Sequence, residues 1–142
     1  MQPLVFQHAH RVAYGECTVG NHVYFSRFLD ILERTRGEFF RHLGCPCLQL
    51  QGAGTVFPVI AVNISYKAQA RYDDLLAIEL WITEMRGIRL SFGFRIRNQL
   101  GRTLAEGEMR QVCADERERP KRLPADLAVR MQPYFHEAGA IG

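Results

Sequence analysis

Between Ile88 and Arg97 the chain alternates without a break, with Ile88, Leu90, Phe92, Phe94 and Ile96 set against Arg89, Ser91, Gly93, Arg95 and Arg97. A period of two puts every apolar side chain on one face of a β-strand, so this segment requires a core on one side and tolerates water on the other. Residues 55–66 (TVFPVIAVNISY), 75–85 (LLAIELWITEM) and 102–114 (RTLAEGEMRQVCA) are similarly rich in β-branched and aromatic side chains and, with 88–98, make four long strands. Met85-Arg86-Gly87 and Gln99-Leu100-Gly101 are short enough to be hairpin connections, and Tyr72-Asp73-Asp74 reads as a polar corner, so the strands run antiparallel.

Upstream the period changes. Residues 4–14 (LVFQHAHRVAY) read as a strand that ends at Gly15. From His22 to about His42, apolar residues at Phe25, Phe28, Leu29, Leu32, Phe39 and Phe40 recur at spacings of three and four. That is the stripe of an amphipathic helix, about 30 Å long at 1.5 Å per residue. Asn21 is the expected N-cap, and Gly44-Cys45-Pro46 the expected stop. After the charged, irregular ERERPKRLP, residues Ala125 to His136 are expected to form a short terminal helix. One strand, one long helix and four antiparallel strands predict an α+β fold in which a curved sheet wraps a single helix. Such long strands leave a free edge that proteins cover, so a homodimer or a dimer of dimers is expected.

At 142 residues, 47% apolar and 23% charged, the chain has the composition of one domain spanning residues 1–142. Such a chain buries roughly two thirds of its unfolded surface without a metal or disulfide staple. No apolar run approaches the roughly 18 to 20 residues that cross a bilayer, and MQPLVFQHAHR lacks the apolar centre of a signal peptide, so no membrane association and a cytoplasmic location are expected. The net charge of +3 comes from 16 Arg and 2 Lys scattered without a block, which argues against a nucleic-acid partner. Cys17, Cys45, Cys47 and Cys113 lack metal-ligand spacing, so reduced thiols and no metal site are expected.

The order of elements is that of the hotdog fold, and several strings agree with it. Tyr14-Gly15-Glu16-Cys17-Thr18-Val19-Gly20-Asn21-His22-Val23-Tyr24-Phe25 resembles the motif Y-x-D-T/C-D-x-x-G-V-V-Y of the 4-hydroxybenzoyl-CoA thioesterase-like family. Asn63-Ile64-Ser65-Tyr66, Ala70 to Leu76, Val112 to Asp115 and Arg122-Leu123-Pro124 resemble later parts of the same pattern. The resemblance implies a hotdog domain, a long central helix wrapped by a five- or six-stranded antiparallel sheet. It implies hydrolysis of an acyl-CoA or acyl-carrier-protein thioester without a cofactor, CoA or phosphopantetheine being part of the substrate. It puts the electrophilic donor on the backbone N–H of Phe25, near the positive end of the helix dipole.

The family's catalytic carboxylate falls on Thr18, whose hydroxyl is not a base near neutral pH. Three replacements compete: Glu16 two residues upstream, Glu33 on the helix acting on a partner's site, or no carboxylate at all. The last matches the enediyne-biosynthesis thioesterases, whose motif reads close to G-E-T-N-L-V-G-N-V-Y-F. Gly15-Glu16-Cys17-Thr18 and Val23-Tyr24-Phe25 are similar to it, and Arg36 aligns with that subgroup's helix Arg, which would stabilise negative charge. The subgroup's helix Tyr falls on Phe28, so the match is incomplete.

Asn21, His22, Tyr24, Tyr66, Lys67 and Arg71 are the expected substrate contacts, with Lys67 and Arg71 facing phosphate. Each candidate has an ordinary structural reading too: Thr18 as a turn residue, Glu33 and Arg36 as ion-pair partners, His8 and His10 as structural histidines. The alternative at the level of the protein is a thioester-binding chain weakened in hydrolysis by loss of its carboxylate. A dehydratase using His22 and Glu33 lacks that family's Pro-rich string around the histidine.

Overall fold

The computed structural model describes residues 2–137. The elements in order are β1 (Phe6–Arg11), a 3₁₀ turn (Tyr14–Glu16), β2 (Cys17–Thr18), β3 (His22–Val23), α1 (Arg27–His42), α2 (Cys47–Gly52), β4 (Val59–Tyr66), β5 (Leu75–Arg86), β6 (Arg89–Arg97), β7 (Thr103–Val112), α3 (Ala125–Met131) and a closing 3₁₀ turn (Gln132–Tyr134). Five strands form one antiparallel sheet in the order β1-β5-β6-β7-β4, and β2 and β3 form a separate two-stranded ribbon.

The alternation in β6 decides which face of the sheet meets the helix. Leu90, Phe92, Phe94 and Ile96 are almost wholly buried against α1, whose own stripe of Phe28, Ile31, Leu32, Thr35, Phe39 and Phe40 is buried in turn. Phe39 stands edge-on to Phe92, with ring centroids 5.6 Å apart. Each such aliphatic or aromatic side chain contributes about 1.5–3 kcal/mol on full burial. On the other face, Arg95 pairs with Glu106 at 3.5 Å and Arg97 with Glu79 at 3.0 Å, while Trp81 lies across Gly93, where a Cβ would run into the indole.

The sequence expectations are corrected at the ends of the elements. The helix begins at Arg27 rather than His22, and Ser26 rather than Asn21 occupies the N-cap position. Asn21 sits at φ 59° in the turn between β2 and β3, beside Gly20 at φ 92°. Residues 22–25 are drawn off the helix by the β4–β5 connection and the 3₁₀ turn, Val23 N–H donating to Ala70 O at 2.8 Å and Tyr24 N–H to Glu16 O at 3.1 Å. The first strand is shorter than residues 4–14, and the terminal helix stops at Met131 before a 3₁₀ turn. Helix α2 was not expected, because six residues show no period. Gly44, at φ 79°, ends α1 as expected, and the Arg130 guanidinium donates to Leu43 O at 2.9 Å.

At one edge of the sheet, β4 pairs only with β7 among the described residues, and Val59, Ile60, Val62 and Tyr66 are exposed. Gly107 lets the β4 backbone approach, since a Cβ there would fall inside the Asn63 carbonyl.

Candidate active site

The β2–β3 ribbon and the entrance to α1 enclose a cavity of about 430 Å³ with the end of β4. Its polar lining comes from Thr18, His22, Tyr24, Tyr66, Lys67 and Gln69, and its apolar lining from Val23, Phe25, Phe28 and Ala68. Seven expected residues, namely Thr18, His22, Tyr24, Phe25, Tyr66, Lys67 and, by contact with the ribbon, Arg71, are thus brought together. Gln69 was missed by sequence reasoning, since a lone Gln in a loop after a strand carries no signal.

Thr18 and His22 face each other across the ribbon, paired in register. The ribbon is held from outside by Arg71, whose Nη1 donates to Gly20 O at 3.2 Å and Asn21 O at 3.3 Å. Arg71 therefore spends part of its guanidinium on the turn. Asn21 contributes its backbone carbonyl to that anchor, and its side chain is not part of the cavity lining.

Phe25 lies just before the helix, and its N–H has no hydrogen-bond partner among the described residues. The same peptide's carbonyl, Tyr24 O, accepts from Arg27 N–H at 2.9 Å. In a trans peptide the N–H points opposite to the carbonyl, so the Phe25 N–H is turned away from the helix. On the following peptide, Tyr66 Oη donates to Phe25 O at 2.9 Å. Burial raises the Tyr66 pKa above the ordinary phenol value, which keeps it a donor. The unpaired N–H stands beside the positive end of the 16-residue α1 and suits an oxygen that gains negative charge.

Glu16 is not in this cavity. Its carboxylate lies 2.9 and 3.0 Å from His10 Nε2 and accepts the Ala13 N–H at 2.7 Å, with both side chains largely buried. That pairing holds the 3₁₀ turn on β1 and takes Glu16 away from the position required of a replacement carboxylate. No carboxylate lines the cavity among the described residues.

Glu33 and Arg36 lie further along α1. Arg36 is nine residues beyond Arg27, about 13 Å along the axis. Its Nη1 donates to Phe57 O at 3.0 Å and to the side-chain oxygen of Gln111, and burial lowers its pKa from the ordinary guanidinium value. It stands between a groove of about 300 Å³, lined by Leu29, Leu32, Glu33, Val59, Val62 and Met109, and a cavity of about 450 Å³ over Phe40, Phe57 and Cys47. Within one chain, neither Glu33 nor Arg36 lines the cavity of Thr18 and Phe25. No group of His, Cys, Asp and Glu able to hold a metal occurs among the described residues.

A family model described as the Thioesterase-like superfamily matches residues 12–131. The acyl-CoA thioester hydrolase YbgC of Escherichia coli O6:H1 is 34% identical over 128 residues, 89% of this chain and 96% of that one. The 4-hydroxybenzoyl-CoA thioesterase of Pseudomonas sp. is 31% identical over 112 residues, 75% of each chain. Among solved structures, the Dynemicin thioesterase superposes with a TM-score of 0.87 over 94% of this chain and 99% of that one, at 18% identity, a likeness of fold.

Proposed function

Because the chain belongs to the thioesterase-like superfamily and has the hotdog fold, we infer that it is an acyl thioester hydrolase that works at the entrance of α1. The observation that carries this reading is the unpaired Phe25 N–H beside the helix N-terminus, in a cavity shared with Thr18. The thioester carbonyl oxygen accepts from that N–H, and its growing charge is stabilised there when water attacks the carbonyl carbon. A donor of this kind is worth about 10² to 10³ in rate. The Thr18 hydroxyl, able to donate and accept, holds the attacking water. Tyr66 positions the Phe25 peptide rather than touching the reacting atoms.

The substrate carries its acyl group on CoA or on the phosphopantetheine of an acyl carrier protein, Lys67 meeting phosphate at the cavity rim. The chemistry as proposed uses no cofactor. The relatives' hydrolase activities weigh against the alternative of a binding protein that no longer hydrolyses. The exposed β4 edge, with Ile60 exposed and Val59 and Val62 sharing a groove with Leu29 of α1, fits a second copy, giving a homodimer or a dimer of dimers. In such a dimer Glu33 and Arg36 lie beside the joint and serve the neighbouring site. No helix among the described residues is long and apolar enough to cross a membrane, and the free cysteines suit a cytoplasmic enzyme.

Release of free thiol from aromatic, short-chain and long-chain acyl-CoA and acyl-carrier thioesters tests the reading. Turnover of at least one class, lowered in Thr18→Ala, is expected. Absence of turnover above the spontaneous rate for every class contradicts it.

A further inference from the structure

A cavity that polarises a thioester with Phe25 N–H still needs a group to take the proton of the attacking water. Glu16 lies outside it, bound to His10 and the Ala13 N–H, and no carboxylate lines the cavity among the described residues. Of the polar side chains that do line it, the Thr18, Tyr24 and Tyr66 hydroxyls and the Gln69 amide are poor bases, and the Lys67 ammonium has no acceptor. The His22 imidazole is the lining side chain that can offer a basic ring-nitrogen lone pair. Resting on the hydrolase reading, we propose that His22 is the general base of this site, taking the place of the carboxylate that Thr18 displaces.

Three features of the ribbon prepare His22 for the task. Its register partner is Thr18, and directly opposed residues share a face with Cβ atoms about 4.5–5.5 Å apart, which puts hydroxyl and ring on one side of the ribbon. The ring's Nδ1 lies 3.4 Å from Val23 O, which acts as acceptor and so places the hydrogen on Nδ1 and the lone pair on Nε2. The Cδ2 and Nε2 edge lies over Gly20, where a Cβ would come within 3.3 Å of Cδ2. Gly20 thus leaves the space that the ring fills.

In the step, His22 Nε2 accepts a proton from water as the water oxygen bonds to the thioester carbon. The carbonyl electron pair moves to the oxygen held by the Phe25 N–H. Collapse re-forms the carbonyl and breaks the C–S bond, and the departing sulfur takes the proton back from His22. The products are a carboxylic acid and a free thiol.

The test uses the full chain and the acyl-CoA that the wild type turns over fastest. In His22→Gln, kcat is expected to fall by about 10² to 10⁴ while KM and the Kd for free CoA stay within about threefold. In His22→Ala, added imidazole is expected to restore about tenfold or more, above the rate that imidazole gives without protein. This rescue also reads out a folded site, so partial loss of folded protein does not imitate it. A His22→Gln variant with kcat within about threefold of wild type, or one that loses KM and CoA affinity alone, overturns the assignment and leaves the hydrolase reading standing. A wild type with no turnover of any thioester overturns both.

Discussion

The Tyr66 phenol at the end of β4 donates a 2.9 Å hydrogen bond to the carbonyl oxygen of Phe25, which ties the sheet to the two residues that lead into α1. Together with the bond from Arg27 N–H to Tyr24 O, it fixes the backbone on both sides of the one N–H that the proposed chemistry needs. Tyr66→Phe keeps the ring, which packs edge-on to Phe28 at 5.4 Å, and removes only this bond. A net loss of about 1–1.4 kcal/mol in positioning corresponds to a fall in kcat of about five- to tenfold. Burial raises the phenol's pKa, so its protonated, donating form persists through neutral and mildly alkaline pH and is lost only above the raised value. The ratio of wild-type to Tyr66→Phe rates is therefore constant from about pH 7 to 9 in a pH–rate comparison.

Glu16→Gln separates a structural carboxylate from a catalytic one. The amide oxygen can still accept from Ala13 N–H, so the 3₁₀ turn is kept and only the pairing with His10 is weakened. A fall of about 1 kcal/mol in stability is expected by chemical denaturation, with kcat within about threefold of wild type. A loss of about 10³ or more in kcat at unchanged folding would put Glu16 in the reaction.

The exposed strand edge carries the prediction on assembly. Ile60, 63% exposed at the irregularity in the β4–β7 pairing, lies on the edge that a second copy would cover. The wild type is expected to sediment at a multiple of 16.3 kDa, and Ile60→Lys, which places a charge on that edge, to shift toward the monomer. A wild-type monomer, or an Ile60→Lys variant of unchanged size, contradicts the proposed joint.

The strands were legible because their signal is local. Leu90, Phe92, Phe94 and Ile96 are buried as their period requires, and β5, β6 and β7 lie within a few residues of the expected segments. The start of α1 was not legible, because Phe25 falls on the same three-four stripe as Phe28, Leu29 and Leu32 although it lies outside the helix. What stops the helix short is non-local: the backbone bonds from Val23 to Ala70 and from Tyr24 to Glu16 claim those residues for another part of the fold. The site shows the same division. The motif around Thr18 and Phe25 predicted the residues that meet in the cavity, whereas the capture of Glu16 by His10 depends on how the 3₁₀ turn folds back on β1. Arg36 was expected either to stabilise negative charge in the site or to form an ion pair, whereas its partners, Phe57 O and Gln111, come from segments far along the chain.

A crystal structure with a thioether analogue of an acyl-CoA, which keeps the carbonyl but cannot be hydrolysed, tests the central claim most directly. The account predicts the carbonyl oxygen about 2.7–3.1 Å from Phe25 N, with the carbonyl carbon facing the space between Thr18 and His22. A carbonyl bound instead in the cavity over Phe40, Phe57 and Cys47, with Phe25 N–H left unoccupied, would contradict it.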